Sequence, residues 1–131
     1  MENAKEKRAA VRIWADGERY AVSGVLTEAE GRCALLYDEP GLDGSPTRFV
    51  FDGASARMER GGAYPAVLEF AAGQTFHGEY GSPFGTARLS VRTERLSVAA
   101  IGNGWRVELF YALCWNGGAW EPHELSLAVT V

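Results

Sequence analysis

The stretch Trp105–Trp115, W-R-V-E-L-F-Y-A-L-C-W, decides the fold of this chain. Its odd-numbered positions are all aliphatic or aromatic, whereas Arg106 and Glu108 occupy even-numbered positions. Successive side chains of a β-strand point to opposite faces of a sheet, so this alternation predicts a strand with one buried face. Ala87–Thr93 and Leu125–Val131 alternate in the same way. These segments indicate an all-β protein.

Short turn signals separate the apolar runs along the rest of the chain. Asp16-Gly17 is one of them, and Asp-Gly between β-forming residues favours a type I′ hairpin, whose two central residues both have positive φ. Neighbouring strands are therefore expected to pair antiparallel in an up-and-down, lipocalin- or calycin-like β-barrel of about eight to ten strands. A β-sandwich is the structural alternative. Asn3–Ala10 is the best helix candidate, but it lacks a core-facing apolar stripe.

The apolar positions change parity after Thr93, because Leu96 and Val98 are even-numbered. One additional residue near Glu94-Arg95 would return the apolar side chains to the inward face of the strand. The sequence therefore predicts a β-bulge or a bend at this point.

The composition favours a cytoplasmic globular protein that forms one domain over residues 1–131. The Lys and Arg residues are scattered and the formal net charge is −4, which argues against nucleic acid and anionic membranes as partners. Neither a secretory signal nor a membrane-spanning apolar run is recognisable. The charged segment Met1–Arg8 is expected to be frayed or flexible.

The two cysteines, Cys33 and Cys114, form neither a zinc pattern nor a disulfide framework. We expect both thiols to be reduced. Cys33 shares strand parity with Leu35 and Tyr37, so it is interpreted as a small buried hydrophobe. No metal or other cofactor is predicted.

The segment Thr75–Thr93, T-F-H-G-E-Y-G-S-P-F-G-T-A-R-L-S-V-R-T, resembles the most recognisable stretch of the YwiB-like family of uncharacterised bacterial β-barrel proteins, in the calycin or lipocalin-like superfamily. The matching positions are His77, Tyr80, Ser82, Pro83, Phe84, Gly85 and Thr93. Ser82 and Phe84 stand where Thr and Tyr are more usual in that family. The resemblance covers most of the chain from about Val11. It implies a barrel of eight to ten strands with an interior able to hold a small molecule, and it carries no established activity.

Residues Ser82–Gly85 are interpreted as a structural turn. Pro83 fixes φ near the value that a tight turn requires, and Gly85 permits a positive φ at the entry to the next strand. Ser82 precedes a proline and has no base nearby in sequence, so it is not a candidate nucleophile.

The polar residues of the same segment are the candidate ligand contacts. If the barrel holds a cavity, we expect His77, Glu79, Tyr80, Arg88 and Arg92 to orient a ligand, depending on which strand parity faces inward. His77 and Glu79 would project from one strand face, but catalytic zinc takes three protein ligands and no second His or Cys lies at a suitable spacing. A solvated histidine and a solvated row of arginines are the simpler interpretations.

Three classes of function remain open from the sequence. The leading hypothesis is a non-enzymatic barrel that binds a small apolar or amphipathic molecule, because aromatic side chains are abundant and either fill or line a small barrel. The alternative is a structural or protein-interaction module that dimerises or docks through an open barrel edge or an exterior aromatic patch, with Trp14, Phe110 and Trp120 as candidates. Both a monomer and a homodimer are compatible with the sequence. An enzyme that uses His77 and Glu79 as acid and base is a third hypothesis.

Overall fold

The computed structural model describes residues 5–40, 42 and 44–131. These residues form a closed up-and-down barrel in which each strand pairs antiparallel with its sequence neighbours and β1 pairs with β10. The strands are β1 (Lys5–Ala15), β2 (Glu18–Ala29), β3 (Arg32–Glu39), β4 (Ser45–Phe51), β5 (Ser55–Arg60), β6 (Ala66–Ala71), β7 (Thr75–Ser82), β8 (Gly85–Ile101), β9 (Gly104–Trp115) and β10 (Trp120–Thr130). The predicted all-β barrel is confirmed.

The first strand corrects one expectation. Lys5–Arg8 do not fray but form the start of β1, where they pair with Val25–Glu28 of β2. Their side chains are all exposed, so no apolar alternation marks this part of the strand. Residues 1–4 of the expected lead-in lie outside the described residues.

The turn between β1 and β2 has the predicted geometry. Asp16 and Gly17 have φ values of 49° and 88°, which is the positive pair that a type I′ turn requires. Glu30 and Gly31, between β2 and β3, adopt the same conformation with values of 53° and 75°. Both connections are therefore tight hairpins that hold consecutive strands side by side.

The predicted irregularity in β8 is confirmed as a bulge at Glu94. Thr93 lies opposite Tyr111 and Arg95 lies opposite Phe110, so Glu94 has no partner of its own in β9. Thr93 is buried whereas Glu94 and Arg95 are both exposed. The bulge therefore returns the apolar residues of this long strand to the inward face.

The inward faces form a packed apolar core. Phe49, Phe51 and Phe70 are at most 2% exposed, so these aromatic rings fill the barrel centre. Cys33 is buried with a free thiol, as its parity predicts, and Cys114 is also buried and free. Among the described residues, no helix is long and apolar enough to cross a membrane.

Deletion of Glu94 tests the bulge. The residues on either side of Glu94 already pair with consecutive residues of β9, so the deletion leaves every inward-facing side chain of β8 in place. We expect a loss of less than about 2 kcal/mol in the free energy of unfolding, measured by urea denaturation. Deletion of exposed Ser97 is the control, and it should cost more because it forces apolar residues of the same strand outward. Equal losses for the two deletions would contradict this account.

Candidate functional site

The structure separates the predicted ligand contacts into two groups. Tyr80 faces the barrel interior and is half-buried. His77 and Glu79 lie on the outer face of β7 and are exposed, and Arg88 and Arg92 are exposed on the outer face of β8. A ligand inside the barrel therefore meets Tyr80 and not the other four side chains.

Strand parity explains this outcome. Leu89 and Val91 are at most 2% exposed in the core, so the alternating residues Arg88 and Arg92 must point outward. On the neighbouring strand, His77 Nδ1 lies 2.8 Å from Ser90 Oγ across the outer surface. These side chains belong to a solvated face of the barrel.

The exterior aromatic candidates are partly covered by arginines. The guanidinium carbon of Arg92 lies 4.4 Å from the ring centroid of Trp120, and that of Arg95 lies 4.5 Å from the centroid of Phe110. Trp120 is 38% exposed, whereas Trp14 and Phe110 are half-buried. The outer face thus carries cation–π pairs and not a continuous bare aromatic surface.

Residues Ser82–Gly85 form the tight turn that the sequence predicts. The Ser82 hydroxyl accepts a hydrogen bond from the Phe84 amide at 3.1 Å and donates one to the Gly85 carbonyl at 3.2 Å. Gly85 has a φ of 133°, which favours glycine at this position. These contacts support a structural role for the turn.

One group of inward-facing polar side chains lies at one end of the barrel. Strands alternate in direction, so all turns that follow odd-numbered strands lie at this end. We call the inward-facing polar and aromatic side chains here the polar mouth: Tyr20, Tyr37, Glu39, Arg60, Tyr80, Tyr111, Trp115 and His123.

Arg60, the last residue of β5, is the central charge of the polar mouth. Its side chain is only 7% exposed, and its Nη2 donates a hydrogen bond to Glu39 Oε1 at 3.1 Å. Its Nη1 donates to the Tyr80 hydroxyl at 3.3 Å. The third nitrogen, Nε, is buried without a hydrogen-bond partner among the described residues.

Burial acts on the titratable partners of Arg60. It raises the pKa of Glu39 above its usual range, although the nearby Arg60 charge opposes this shift. Burial also raises the pKa of Tyr111 to about 12 and raises that of Tyr37. The two tyrosines are therefore neutral hydroxyl donors at neutral pH.

His123 supplies a second unpartnered group. Its ring stacks on Tyr111 with a centroid separation of 5.6 Å, and its Nδ1 lies 2.7 Å from Asp16 Oδ2. Because a carboxylate accepts a hydrogen bond, this contact favours the tautomer with a proton on Nδ1 and a lone pair on Nε2. Nε2 is buried and has no partner among the described residues.

Two polar atoms of the polar mouth, Arg60 Nε and His123 Nε2, are thus buried without a partner among the described residues. A buried polar group without a partner costs about 1–3 kcal/mol, so a polar partner at either atom would recover part of that cost. Beside these groups, the Tyr80 and Trp115 rings meet edge to face at 5.1 Å and supply apolar surface. In the described residues, no group of three or more His, Cys, Asp or Glu side chains is arranged to hold a metal ion.

Arg60 was absent from the sequence-based candidates, although the sequence contains a signal for it. In β5, Ala56, Met58 and Arg60 share one parity, so a charged residue ends an otherwise apolar face. A lone arginine at the end of a short strand resembles a turn residue when no partner is known. Glu39, its ion-pair partner, is 21 residues away in the sequence.

Comparisons with known proteins identify a family and a fold. DUF1934, described as a domain of unknown function, matches residues 15–127. The crystal structure of ywiB protein from Bacillus subtilis matches with a TM-score of 0.83 and 18% sequence identity, over 97% of this chain and 94% of that chain. At this identity the match shows a shared fold. No curated protein matches the sequence.

The raised pKa values of Tyr111 and Tyr37 predict that the folded protein loses stability in alkali. A raised pKa in the folded state means that stability is fully present below the ordinary tyrosine pKa of about 10 and is lost as the pH rises through the folded value of about 12. We expect the free energy of unfolding to fall across this interval, measured by urea denaturation at successive pH values. The free energy of unfolding of Tyr111→Phe should fall less steeply with pH than that of the wild type. Tyr64→Phe, which changes a tyrosine outside the polar mouth, is the control and should keep the wild-type slope. An unchanged slope in Tyr111→Phe would refute the assignment.

Proposed function

The chain belongs to the DUF1934 family, as its resemblance to YwiB-like barrels predicts, and we propose that it is a non-enzymatic cytoplasmic protein that binds a small amphipathic molecule at the polar mouth. The observation that carries this proposal is the Arg60 side chain, which lies inside the barrel end with one nitrogen unpartnered. The family description assigns no activity, so the proposal rests on the site.

A purely structural role is a poor explanation for Arg60. Removing a guanidinium from water is costly, and well-packed apolar residues often replace a buried ion pair without loss of stability. Arg60 is nevertheless 7% exposed and shares the mouth with Glu39, which is 18% exposed. A ligand group that accepts a hydrogen bond, such as a carboxylate or a carbonyl, would satisfy Nε.

The surroundings of Arg60 favour an amphipathic ligand. Tyr80, Trp115 and Tyr111 place aromatic surface beside the polar groups, whereas Phe49 and Phe70 fill the core and leave no room for a long apolar tail. The ligand is therefore expected to lie across the barrel end. Of the contacts predicted from the sequence, Tyr80 stays in the proposed site, and Arg60 takes the place of the outward-facing Arg88 and Arg92.

The proposed cytoplasmic location and non-enzymatic role rest on other observations. Cys33 and Cys114 carry free thiols, as is usual in a reducing compartment. His77 and Glu79, the sequence candidates for an acid and a base, are exposed on the outer face, so we assign them no catalytic step.

Native mass spectrometry of the gently purified protein tests the proposal. We expect the wild type to carry an additional small mass that disappears on denaturation. Arg60→Met should lose it, because methionine keeps an unbranched apolar stem but removes the buried donors. Arg57→Met is the matched control, since Arg57 lies on the outer face of the same strand.

Tyr80→Phe provides a second variant that preserves the shape of the mouth. It removes the hydroxyl that contacts Arg60, and we expect it to retain less of the additional mass than the wild type. A wild type of bare mass, or equal retention in Arg60→Met and Arg57→Met, would refute the binding site.

A further inference from the structure

The positive charge of the polar mouth already has a counter-ion. Arg60 and Glu39 form an ion pair in which Nη2 lies 3.1 Å from Oε1, and both side chains are largely buried. Because little water reaches the pair, each charge mainly compensates the other. A ligand that contacts this pair therefore meets one positive and one negative group, with no net charge between them.

The hydrogen bonds of Arg60 leave little capacity for an anion. A guanidinium binds a carboxylate best through two parallel hydrogen bonds from neighbouring nitrogens. Nη2 donates to Glu39 and Nη1 donates to the Tyr80 hydroxyl, so every pair of nitrogens includes one that is already engaged. Nε carries a single N–H and has no partner among the described residues. That N–H takes one acceptor atom, which a carbonyl oxygen supplies.

Two further carboxylates lie beside the mouth, at the β1–β2 turn. Asp16 Oδ2 lies 2.7 Å from His123 Nδ1, and Glu18 accepts a hydrogen bond from the Tyr20 hydroxyl. Both are negative and oppose the approach of an anion. They are also exposed, so water and salt screen their attraction for a cation, which Arg60 repels.

The surfaces beside the ion pair are aromatic and uncharged. The Tyr80 and Trp115 rings meet edge to face at 5.1 Å, and Tyr111 stacks on His123 at 5.6 Å. Burial raises the pKa of Tyr111 to about 12, so its hydroxyl is neutral at neutral pH. An ion that contacts these rings gives up hydration without a compensating charge, whereas a neutral polar group gives up much less.

We propose that Glu39 is the specificity-determining residue of the polar mouth and restricts its ligand to an uncharged molecule with a carbonyl group, such as an amide or a ketone. This inference rests on the proposed function, because it names the ligand class of the same site. Arg60 without Glu39 would attract carboxylates. With Glu39 in place, a second carboxylate meets a like charge across the shared guanidinium.

Three matched probes test the ligand class: phenylacetamide, phenylacetate and phenethylamine. They share a benzyl group and differ in whether the attached group is neutral, negative or positive. Each is titrated into ¹⁵N-labelled protein at about pH 8, where ordinary carboxyl groups are ionised. We expect phenylacetamide to shift the backbone amides around Arg60, Tyr80 and Tyr111. It should bind at least about tenfold more tightly than either charged probe.

Glu39→Gln should remove the discrimination against the acid. Glutamine keeps an acceptor oxygen for Arg60 but leaves the guanidinium charge uncompensated. We expect phenylacetate to bind the variant at least about tenfold more tightly than the wild type, whereas the affinity for phenylacetamide changes less than about threefold. Glu59→Gln is the matched control, because Glu59 pairs with Arg48 and Arg57 on the outer face and its loss changes the net charge equally. It should leave both affinities unchanged.

Three results would overturn the inference while the binding site itself stands. They are phenylacetate that binds the wild type as tightly as phenylacetamide does, phenylacetate affinity that is unchanged in Glu39→Gln, and an additional mass, lost in Arg60→Met, that proves on extraction to be an organic acid. Absence of binding by all three probes would also overturn it. A bare wild-type mass in the native spectrum overturns the proposed function itself. If Glu39→Gln does not fold, the comparison of the probes on wild-type protein decides the question.

Discussion

Closure of the sheet is the constraint on which the whole structure depends. Once β1 pairs with β10 through Ala10–Ala15 and Leu125–Thr130, every strand has one face inside the ring and one outside. The position of each side chain then follows from its parity alone. The bulge at Glu94 keeps this rule intact in β8, because Leu96 and Val98 would face solvent if Glu94 were present but paired regularly with β9.

Parity also explains how much the sequence could predict. Trp105–Trp115 alternates so regularly that the strand and its apolar face follow from residue types, and the change of parity between Thr93 and Leu96 gives the position of the bulge in β8. The start of β1 has no such pattern, because Lys5–Arg8 are exposed on both faces and are held only by the β2 backbone. The length of that strand therefore depends on a tertiary pairing that no local signal encodes.

The candidate site was harder to predict for a related reason. A polar residue of inward parity conflicts with the apolar pattern, so that pattern does not mark Arg60 or His123 as interior groups. Their partners Glu39 and Asp16 are distant in sequence, and only the ring brings each pair together. The outer arginines were prominent because they alternate regularly, but regular alternation with buried leucine and valine is what places them in solvent.

Pairing of β1 with β10 has a consequence for connectivity. All other ladders join strands that are consecutive in the chain, so the order of strands around the ring is a circle that matches chain order. Such a circle has no privileged starting strand. A circular permutant would link the C-terminal end of β10 to the N-terminal end of β1 and would begin and end at the β6–β7 turn. It would form the same barrel, with its new termini beside the pair of strands that has the fewest bridges. The fold is in this sense a cyclic series of hairpins, and a circular permutant cut between β6 and β7 loses the least stability because these strands share the fewest bridges.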